Sequence, residues 1–359
     1  MKIFVIEASG LSAAFIGCYG NDWVATPNID RLAAEGVVFD WHIADQPELL
    51  RDRPWAERSI ASGRHSGGPV VFSPSVVRCP NLVGFANDAI RAINCNAECL
   101  WIEGPSLIPP WTLDTDSLDS YFDEDDAEER LTPWPDPPMV CATLDDAEVV
   151  TLQNTYAAVV TYFDAQLGRV LDHIKSRTDL LICVTARAGL PLGEHGMIGA
   201  PRPWLHAELV HVPLVMRLPN GAEAGMRINA LTQPLDLTAT LLEAGNAPIP
   251  PMHGRSLWPL LRSETPSVRP YAMSMMEVDG FESWLLRSLA WAFHLPTKFP
   301  VDADPSKPKL YVKPDDRWEV NDFWQQQVDR ADEFERALRE FIATLAQTDE
   351  PRYPPIDFA

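Results

Sequence analysis

Three arginines, Arg53, Arg187 and Arg202, are the side chains of this sequence best suited to holding a charged ligand. A guanidinium is always protonated and presents a planar fork of donors that fits sulfate, phosphate and carboxylate groups. A pocket that contained all three would therefore bind a small anion, such as sulfate, phosphate or a sugar that carries a carboxylate. Glutamates placed beside the arginines would neutralise part of this charge.

Two other chemistries are suggested by residue types alone and lack the required spacing. Ser9, His195 and Asp236 are the residue types of a Ser-His-Asp hydrolase, but the Gly-x-Ser-x-Gly turn that exposes such a serine is absent. His206 and His211 are five residues apart, and no His-Glu-x-x-His motif occurs. The sequence therefore favours neither a serine hydrolase nor a zinc site.

The elements that must position these residues alternate between strand and helix. Residues 3–7 and 180–185 are continuous apolar runs of strand length, as expected for strands that are buried on both faces. Residues 145–177 carry one apolar stripe at helical spacing. Strands of this kind that alternate with helices predict an α/β fold with a doubly wound, mostly parallel sheet and helices on both faces.

The remaining elements complete this pattern and divide the chain in two. Residues 1–265 are expected to form the α/β core, from which the proline- and acid-rich residues 103–147 make a surface excursion. Residues 266–359 are expected to form a small C-terminal subdomain with a terminal helix. Further helices are predicted at residues 28–35, 81–94, 235–244 and 321–345, and strands at 37–41, 98–102, 212–218, 309–312 and twice within 283–294.

Composition limits the classes of partner. Lys+Arg 29 against Asp+Glu 51 gives a formal net charge of −22, and so acidic a protein is a poor ligand for nucleic acids or anionic membranes. Neither a secretory leader nor an apolar run long enough to span a membrane is visible, which predicts a cytoplasmic protein. The oligomeric state is left open by the sequence.

A family resemblance extends over most of the chain. Residues 16–36 read Ile-Gly-Cys-Tyr-Gly-Asn-Asp-Trp-Val-Ala-Thr-Pro-Asn-Ile-Asp-Arg-Leu-Ala-Ala-Glu-Gly. This stretch resembles the N-terminal hallmark of the sulfatases, in the alkaline phosphatase superfamily. Further matches follow in the family's order at residues 160–172, 180–196, 212–214, 233–242, 253–261 and 310–321. The resemblance implies the alkaline phosphatase/sulfatase-like fold.

The resemblance also implies a site that this sequence lacks in part. Sulfatases use calcium or magnesium and a formylglycine made from a Cys or Ser, and an acidic pair supplies metal ligands. That pair aligns with Ser9 and Gly10, while Glu7 lies two positions earlier and so on the same face of a strand. The nucleophile aligns with Arg53 and the arginine of its motif with Glu57. No Cys, Ser or Thr occurs between Ile43 and Arg58.

The second half of the family's metal site also has its ligands replaced in this sequence. Its Asp and His align with Arg187 and Ala188, whereas Arg202 keeps the positive charge of a basic site residue. Glu194 and His195 are retained within Leu-Gly-Glu-His-Gly, where either a structural or a functional role is compatible with the sequence. We expect Arg187 and Glu57, together with Arg53 and Glu7, to fill the former metal site with paired charges.

These substitutions predict a pseudoenzyme. It would bind a small anionic ligand or a protein partner, without a metal and without a cofactor. The alternative is an active sulfate or phosphate ester hydrolase with a remodelled or displaced metal site. No residue is assigned a catalytic role, and the candidate pocket comprises Glu7, Ser9, Arg53, Glu57, Arg187, Glu194, His195, Arg202 and His206.

Overall fold

The computed structural model describes residues 1–47, 74–122, 131–303, 306–345 and 353–356. Arg53 and Glu57 lie outside the described residues. The expected contact between Glu57 and Arg187, and the assignment of the nucleophile position to Arg53, therefore stay predictions.

A mostly parallel sheet forms the centre of the described fold. Its strands are ordered β3-β4-β1-β5-β7-β2-β6, and β8 pairs with β2. Strand β1 is parallel to both β4 and β5, while β7 runs antiparallel between β5 and β2. The strands are β1 Lys2–Glu7, β2 Val37–Ile43, β3 Ser75–Arg78, β4 Cys99–Glu103, β5 Leu180–Thr185, β6 His211–Val212, β7 Leu214–Arg217 and β8 Met226–Thr232.

Helices cover both faces of this sheet, as the apolar strands predict. The long helix Asp146–Ile174 begins at a capping box in which Asp145 and Glu148 exchange hydrogen bonds with each other's backbone N–H groups. It packs with Pro27–Ala34 and Phe85–Ile93 on one face, whereas Pro234–Ala244 packs on the other. The helices are α1 Pro27–Ala34, α2 Phe85–Ile93, α3 Thr115–Leu118, α4 Asp146–Ile174, α5 Ala207–Val210, α6 Pro234–Ala244, α7 Trp258–Leu261 and α8 Val328–Leu345.

A second, antiparallel sheet follows the core and carries the last helix on its outer side. Its strand order is β12-β11-β10-β9, and α8 packs against β10 and β11. Two buried hydrogen bonds fasten it to the core: Gln233 Nε2 to the Met273 carbonyl at 2.7 Å, and Ser274 Oγ to the Ala44 carbonyl at 2.6 Å. The strands are β9 Ala272–Val278, β10 Phe281–Arg287, β11 Trp291–Lys298 and β12 Lys309–Val312.

Two predicted helices begin later than expected because side chains capture the backbone in front of them. Asp322 Oδ1 accepts from the Leu310 and Trp324 amides, and helix α8 begins only at Val328. Asn81 Oδ1 accepts from the Val83 amide ahead of helix α2. Asp and Asn bond to nearby amides in turns, which competes with helix formation.

The excursion after β4 differs from its prediction as a surface segment. Its first part is buried in the core, through Leu107, Ile108 and Trp111. The Leu107 amide donates to the Ser9 carbonyl at 2.8 Å, so the segment lies directly against the end of β1. Among the described helices, none has both the length and the apolar character needed to cross a membrane.

Candidate functional site

A cluster of buried charges lies where β1, β4 and β5 end. Strand register places Glu7 opposite both Glu103 and Thr185, because the three strands are parallel. Arg187, two residues beyond β5, donates from Nε to Glu7 Oε1 at 3.1 Å, and its Nη2 lies 3.9 Å from Glu103 Oε1. Trp101 Nε1 donates to Glu7 Oε2 at 3.1 Å. One guanidinium thus serves two carboxylates, and we call this group the Glu7–Arg187 cluster.

The charges of this cluster depend on one another. Burial raises the pKa of Glu7, and the positive charge of Arg187 opposes that rise without cancelling it. Glu103 raises the pKa of Glu7 further by repulsion between like charges. A buried ion pair in this position contributes little net stability, but removal of one partner leaves an uncompensated charge.

The two segments that would carry the family's metal ligands are in contact. The Gly10 amide donates to the Ala188 carbonyl at 2.9 Å. Gly10 has φ +83, and a Cβ added there would lie 3.0 Å from Ile108 Cγ1. A non-glycine residue would therefore be strained by both conformation and space. The buried Ser9 hydroxyl has no hydrogen-bond partner among the described residues.

The residues present do not fit a calcium or magnesium ion. Hard cations need several oxygen ligands, and carboxylates are preferred. The four aligned positions hold Ser9, Gly10, Arg187 and Ala188 instead, and the carboxylate of Glu7 is bonded to Arg187 and Trp101. The cavity beside Arg187, lined by Glu7, His42, Thr185, Ala186, Pro234 and Leu237, measures about 10 Å³, which is about the space of one water molecule.

A second polar cluster joins the core to the C-terminal sheet. The rings of His195 and His206 are stacked, with centroids 3.7 Å apart. His195 Nδ1 lies 2.6 Å from Glu208 Oε1, and His206 Nδ1 lies 2.6 Å from Glu319 Oε2. Glu319 also contacts Lys313 Nζ at 2.8 Å. We call these residues, together with His294 and Glu194, the histidine cluster.

Three members of the histidine cluster bring potential metal ligands together. The ligand atoms of His206, His294 and Glu319 lie within 4.8 Å of one another. Lys313 already neutralises the Glu319 carboxylate. Burial raises the pKa of Glu319, but its interactions with His206 and His294 outweigh this and hold the pKa well below its usual value. Lys313 and His206 thus pair with the Glu319 carboxylate, whereas His294 Nε2 has no hydrogen-bond partner among the described residues. This ion-pair network fixes the turn after β12 to the core.

Two members of the histidine cluster have perturbed pKa values. Burial and then repulsion from Glu208 raise the pKa of Glu194 to about 7. Burial lowers the pKa of His195, but its hydrogen bond to Glu208 and the charge of Glu208 outweigh that effect, so the pKa is raised. Glu194 Oε2 accepts from the Leu192 amide at 2.6 Å, so both side chains stabilise the loop around Gly193.

Glu194→Gln is expected to stabilise the protein in a pH-dependent way. Because the pKa of Glu194 is higher in the folded chain, at about 7, than its ordinary value of 4.5, the stability linked to its protonation is present below pH 4.5 and lost as the pH rises through 7. The variant should match the parent at acid pH and exceed it by about 2 kcal/mol above neutrality. Thermal unfolding of both proteins from acid to alkaline pH checks this, and a constant difference in stability would contradict it.

The predicted pocket residues thus fall into separate groups. Glu7 pairs with Arg187, whereas Glu194, His195 and His206 belong to the histidine cluster. The Arg202 guanidinium lies 4.0 Å from the centroid of the Phe281 ring of β10.

Several partners in these clusters are not predicted from the sequence: Glu103, Trp101, Glu208, Glu319, His294 and Lys313. For Glu103 a signal existed, since it directly follows the predicted strand 98–102, and Glu7 ends the predicted strand 3–7.

The fold and the arrangement of these strand ends define an α/β protein of the alkaline phosphatase-like class. The structure of BT4656 in complex with its substrate D-glucosamine-2-N,6-O-disulfate superimposes with a TM-score of 0.73 at 16% identity, over 96% of this chain and 97% of that one. Nearly the whole described architecture is therefore shared with it.

Sequence comparisons match parts of the chain to sulfatases and to another protein of the alkaline phosphatase superfamily. The model described as N-sulphoglucosamine sulphohydrolase, C-terminal, matches residues 193–273. The multifunctional alkaline phosphatase superfamily protein PehA of Trinickia caryophylli is 34% identical over 132 residues, which are 35% of this chain and 25% of PehA. An N-acetylglucosamine-6-O-sulfatase of Bacteroides thetaiotaomicron is 30% identical over 113 residues, 30% of this chain and 20% of the relative. These segments of the chain are similar in sequence to sulfatases, and the chain matches a quarter or less of the length of these two relatives.

Proposed function

We propose that this sulfatase-like protein is a pseudoenzyme that binds a small anionic ligand or a protein partner and does not hydrolyse esters with a metal. The observation that carries this proposal is the Glu7–Arg187 cluster. The Arg187 guanidinium lies 3.1 Å from Glu7 and 3.9 Å from Glu103, the two carboxylates at the ends of β1 and β4. A second cation beside it would add positive charge where Arg187 already supplies it.

The lack of a nucleophile supports the same conclusion. The sequence from Ala44 to Arg58 contains no Cys, Ser or Thr from which a formylglycine could form. Ser9 lies at the position of one of the family's acidic metal ligands, but its Oγ has no hydrogen-bond partner in the described part of the chain. A serine without a hydrogen-bonded base is a weak nucleophile.

Ester turnover tests the proposal. Purified protein is incubated with aryl sulfate, aryl phosphate and aryl phosphonate esters, in the presence of calcium, magnesium or manganese and after chelation. We expect no hydrolysis above the rate without protein in any combination. The matched controls are Glu7→Gln and His195→Gln. Metal-stimulated turnover that is lost in either variant would support a hydrolase with a remodelled site instead.

A further inference from the structure

A large cavity lies between the core and the C-terminal sheet, apart from the Glu7–Arg187 cluster. Its volume is about 640 Å³, within the usual range for small-molecule sites. Apolar side chains such as Phe15, Val210 and Leu285 line it together with several aromatic rings and charged groups. We call it the Arg287 pocket, after the cation discussed below.

Arg287 lines this pocket as a buried cation with little compensation. Its relative exposure is 4%. Among the described residues, its hydrogen bonding is limited to a long contact from Nη1 to the Trp291 carbonyl at 3.4 Å, and no carboxylate lies within ion-pair distance. Burial lowers the pKa of Arg287 to about 10, and the charge of Glu319 offsets only part of this. A guanidinium has five donors, so most of the hydrogen-bonding capacity of Arg287 is unused.

Trp41 holds the guanidinium in place. The carbon at the centre of the Arg287 guanidinium lies 5.0 Å from the centroid of a Trp41 ring. Trp41 in turn stacks on His211 at 5.2 Å and donates from Nε1 to Asn229 Oδ1 at 2.6 Å. A cation fixed in this way is preorganised for an anion, because little side-chain freedom is lost on binding.

Most of the other charges of the Arg287 pocket are paired, and among the described residues Arg317 and Glu194 have no ion-pair partner. Arg227 bonds to Asp40, Lys313 to Glu319, and His195 to Glu208. Arg317 is exposed and stacks on Trp318 at 5.1 Å, and no carboxylate of the described chain lies within ion-pair distance of it. Burial raises the pKa of Glu194 to about 7, so its negative charge is incomplete at neutral pH. His211 is neutral, because burial lowers its pKa to about 4. Four cations and four carboxylates thus line the pocket, and Arg287 and Arg317 are the two of these cations without a carboxylate partner in the described part of the chain.

The remaining surface of the pocket suits a ring. Trp23 is 45% exposed and Trp318 is 56% exposed, and both line the cavity. Indoles that stay partly exposed beside an apolar pocket commonly contact ligands.

We propose that the Arg287 pocket binds a small organic anion whose sulfate, phosphate or carboxylate group contacts Arg287 and whose ring packs among Phe15, Trp23 and Trp318. This assignment rests on the proposed function, for which it names the ligand site. A buried charge that has no partner within the protein costs stability. Such a charge is expected at a binding site, where the ligand supplies the partner.

Titration calorimetry with defined probes tests the assignment, in a buffer free of sulfate, sulfonate and phosphate. The probes are phenyl sulfate, phenyl phosphate and benzoate, with phenol as the neutral ring and inorganic sulfate as the anion without a ring. We expect at least one of the three ring-bearing anions to bind, and phenol and inorganic sulfate to bind at least tenfold more weakly than it does. Arg287→Met should lower the affinity for the tightest-binding ring-bearing anion about tenfold or more.

Arg287→Lys and Arg262→Met complete the experiment. The lysine variant keeps the charge and should retain part of the affinity. Arg262 lies 5.4 Å from the centroid of a Trp258 ring, in a similar stacking contact outside the pocket, so Arg262→Met should bind as the parent does. Arg287→Met should melt no lower than the parent, since a poorly compensated buried charge is removed.

Three results would overturn the assignment. They are the absence of binding by all three ring-bearing anions, an affinity for the best of them that Arg287→Met leaves unchanged, or binding of phenol as tight as that anion. Each of them would leave the proposal about ester hydrolysis standing. Turnover of phenyl sulfate that persists in Arg287→Met would instead contradict the proposed function.

Discussion

Arg187→Met is expected to lower the free energy of unfolding by about 3–5 kcal/mol. Arg187 is the cation shared by Glu7 and Glu103 at the end of the central strands, and it is also the residue that takes the place of a metal ligand in the proposed function. Methionine fills similar volume and leaves the buried Glu7 without a cation beside Glu103, which keeps its contact with Arg78 at 3.0 Å. Because the pKa of Glu7 is raised further when Arg187 is absent, the loss should be greatest at neutral and alkaline pH and smaller in acid.

The triple variant Glu7→Gln/Glu103→Gln/Arg187→Met should recover most of this loss, because all three charges are then removed together. Chemical denaturation of parent, single and triple variants measures the effect. Arg31→Met is a matched control, since Arg31 forms a surface ion pair with Asp172 at 3.1 Å, and it should cost about 1 kcal/mol or less. Equal effects of Arg31→Met and Arg187→Met would contradict the account of the cluster.

Glu319→Gln is also expected to lower the free energy of unfolding by about 3–5 kcal/mol. Glu319 is the buried anion between Lys313 and the two imidazoles of His206 and His294. Glutamine keeps the shape and leaves Lys313 without its counter-ion. The variant should also release the turn after β12, which includes part of the wall of the Arg287 pocket.

The pH dependence of this effect has the opposite sign to that of Glu194→Gln. Since the pKa of Glu319 is lowered in the folded protein, the stability it contributes is present above pH 4.5, its ordinary value, and lost as the pH falls through the folded value. The difference between parent and Glu319→Gln should therefore shrink in acid. Asp315→Asn on the exposed part of the same turn is the control and should change stability by less than about 0.5 kcal/mol. A loss for Glu319→Gln that is constant with pH would contradict the ion-pair network.

Local sequence patterns were sufficient to predict the main strands and helices of the core. Both ends of strand β5, Leu180–Thr185, agree with the prediction from its apolar run. The apolar stripe of helix α4 predicts the C-terminal end of that helix to within three residues. Strand β9 was missed because its sequence, Ala-Met-Ser-Met-Met-Glu-Val, is rich in methionine and poor in the β-branched residues that mark strands. It is held by pairing with β10 and by bonds to the core, and such long-range contacts leave no local signal.

The candidate site could be predicted only in part for the same reason. The exchange of a metal ligand for Arg187 was visible in the sequence, but its partners depend on strand register. Glu103 is separated from Glu7 by most of the first hundred residues and meets it only because β4 and β1 are parallel neighbours. Likewise, Arg287 lies in a part of the sequence without a motif. Its burial against Trp41 comes from the packing of the C-terminal sheet on the core.

Whether Arg187 replaces the metal of the family can be seen in a crystal structure of the protein grown with excess manganese and measured at the manganese absorption edge. The account predicts no anomalous peak near the Glu7 carboxylate, and a retained contact between Glu7 Oε1 and Arg187 Nε close to 3.1 Å. Because the measurement gives a position, a peak at His206, His294 and Glu319 would be distinguished from one at the aligned site. A manganese ion bound by Glu7 between Gly10 and Ala188, with Arg187 displaced, would contradict the account.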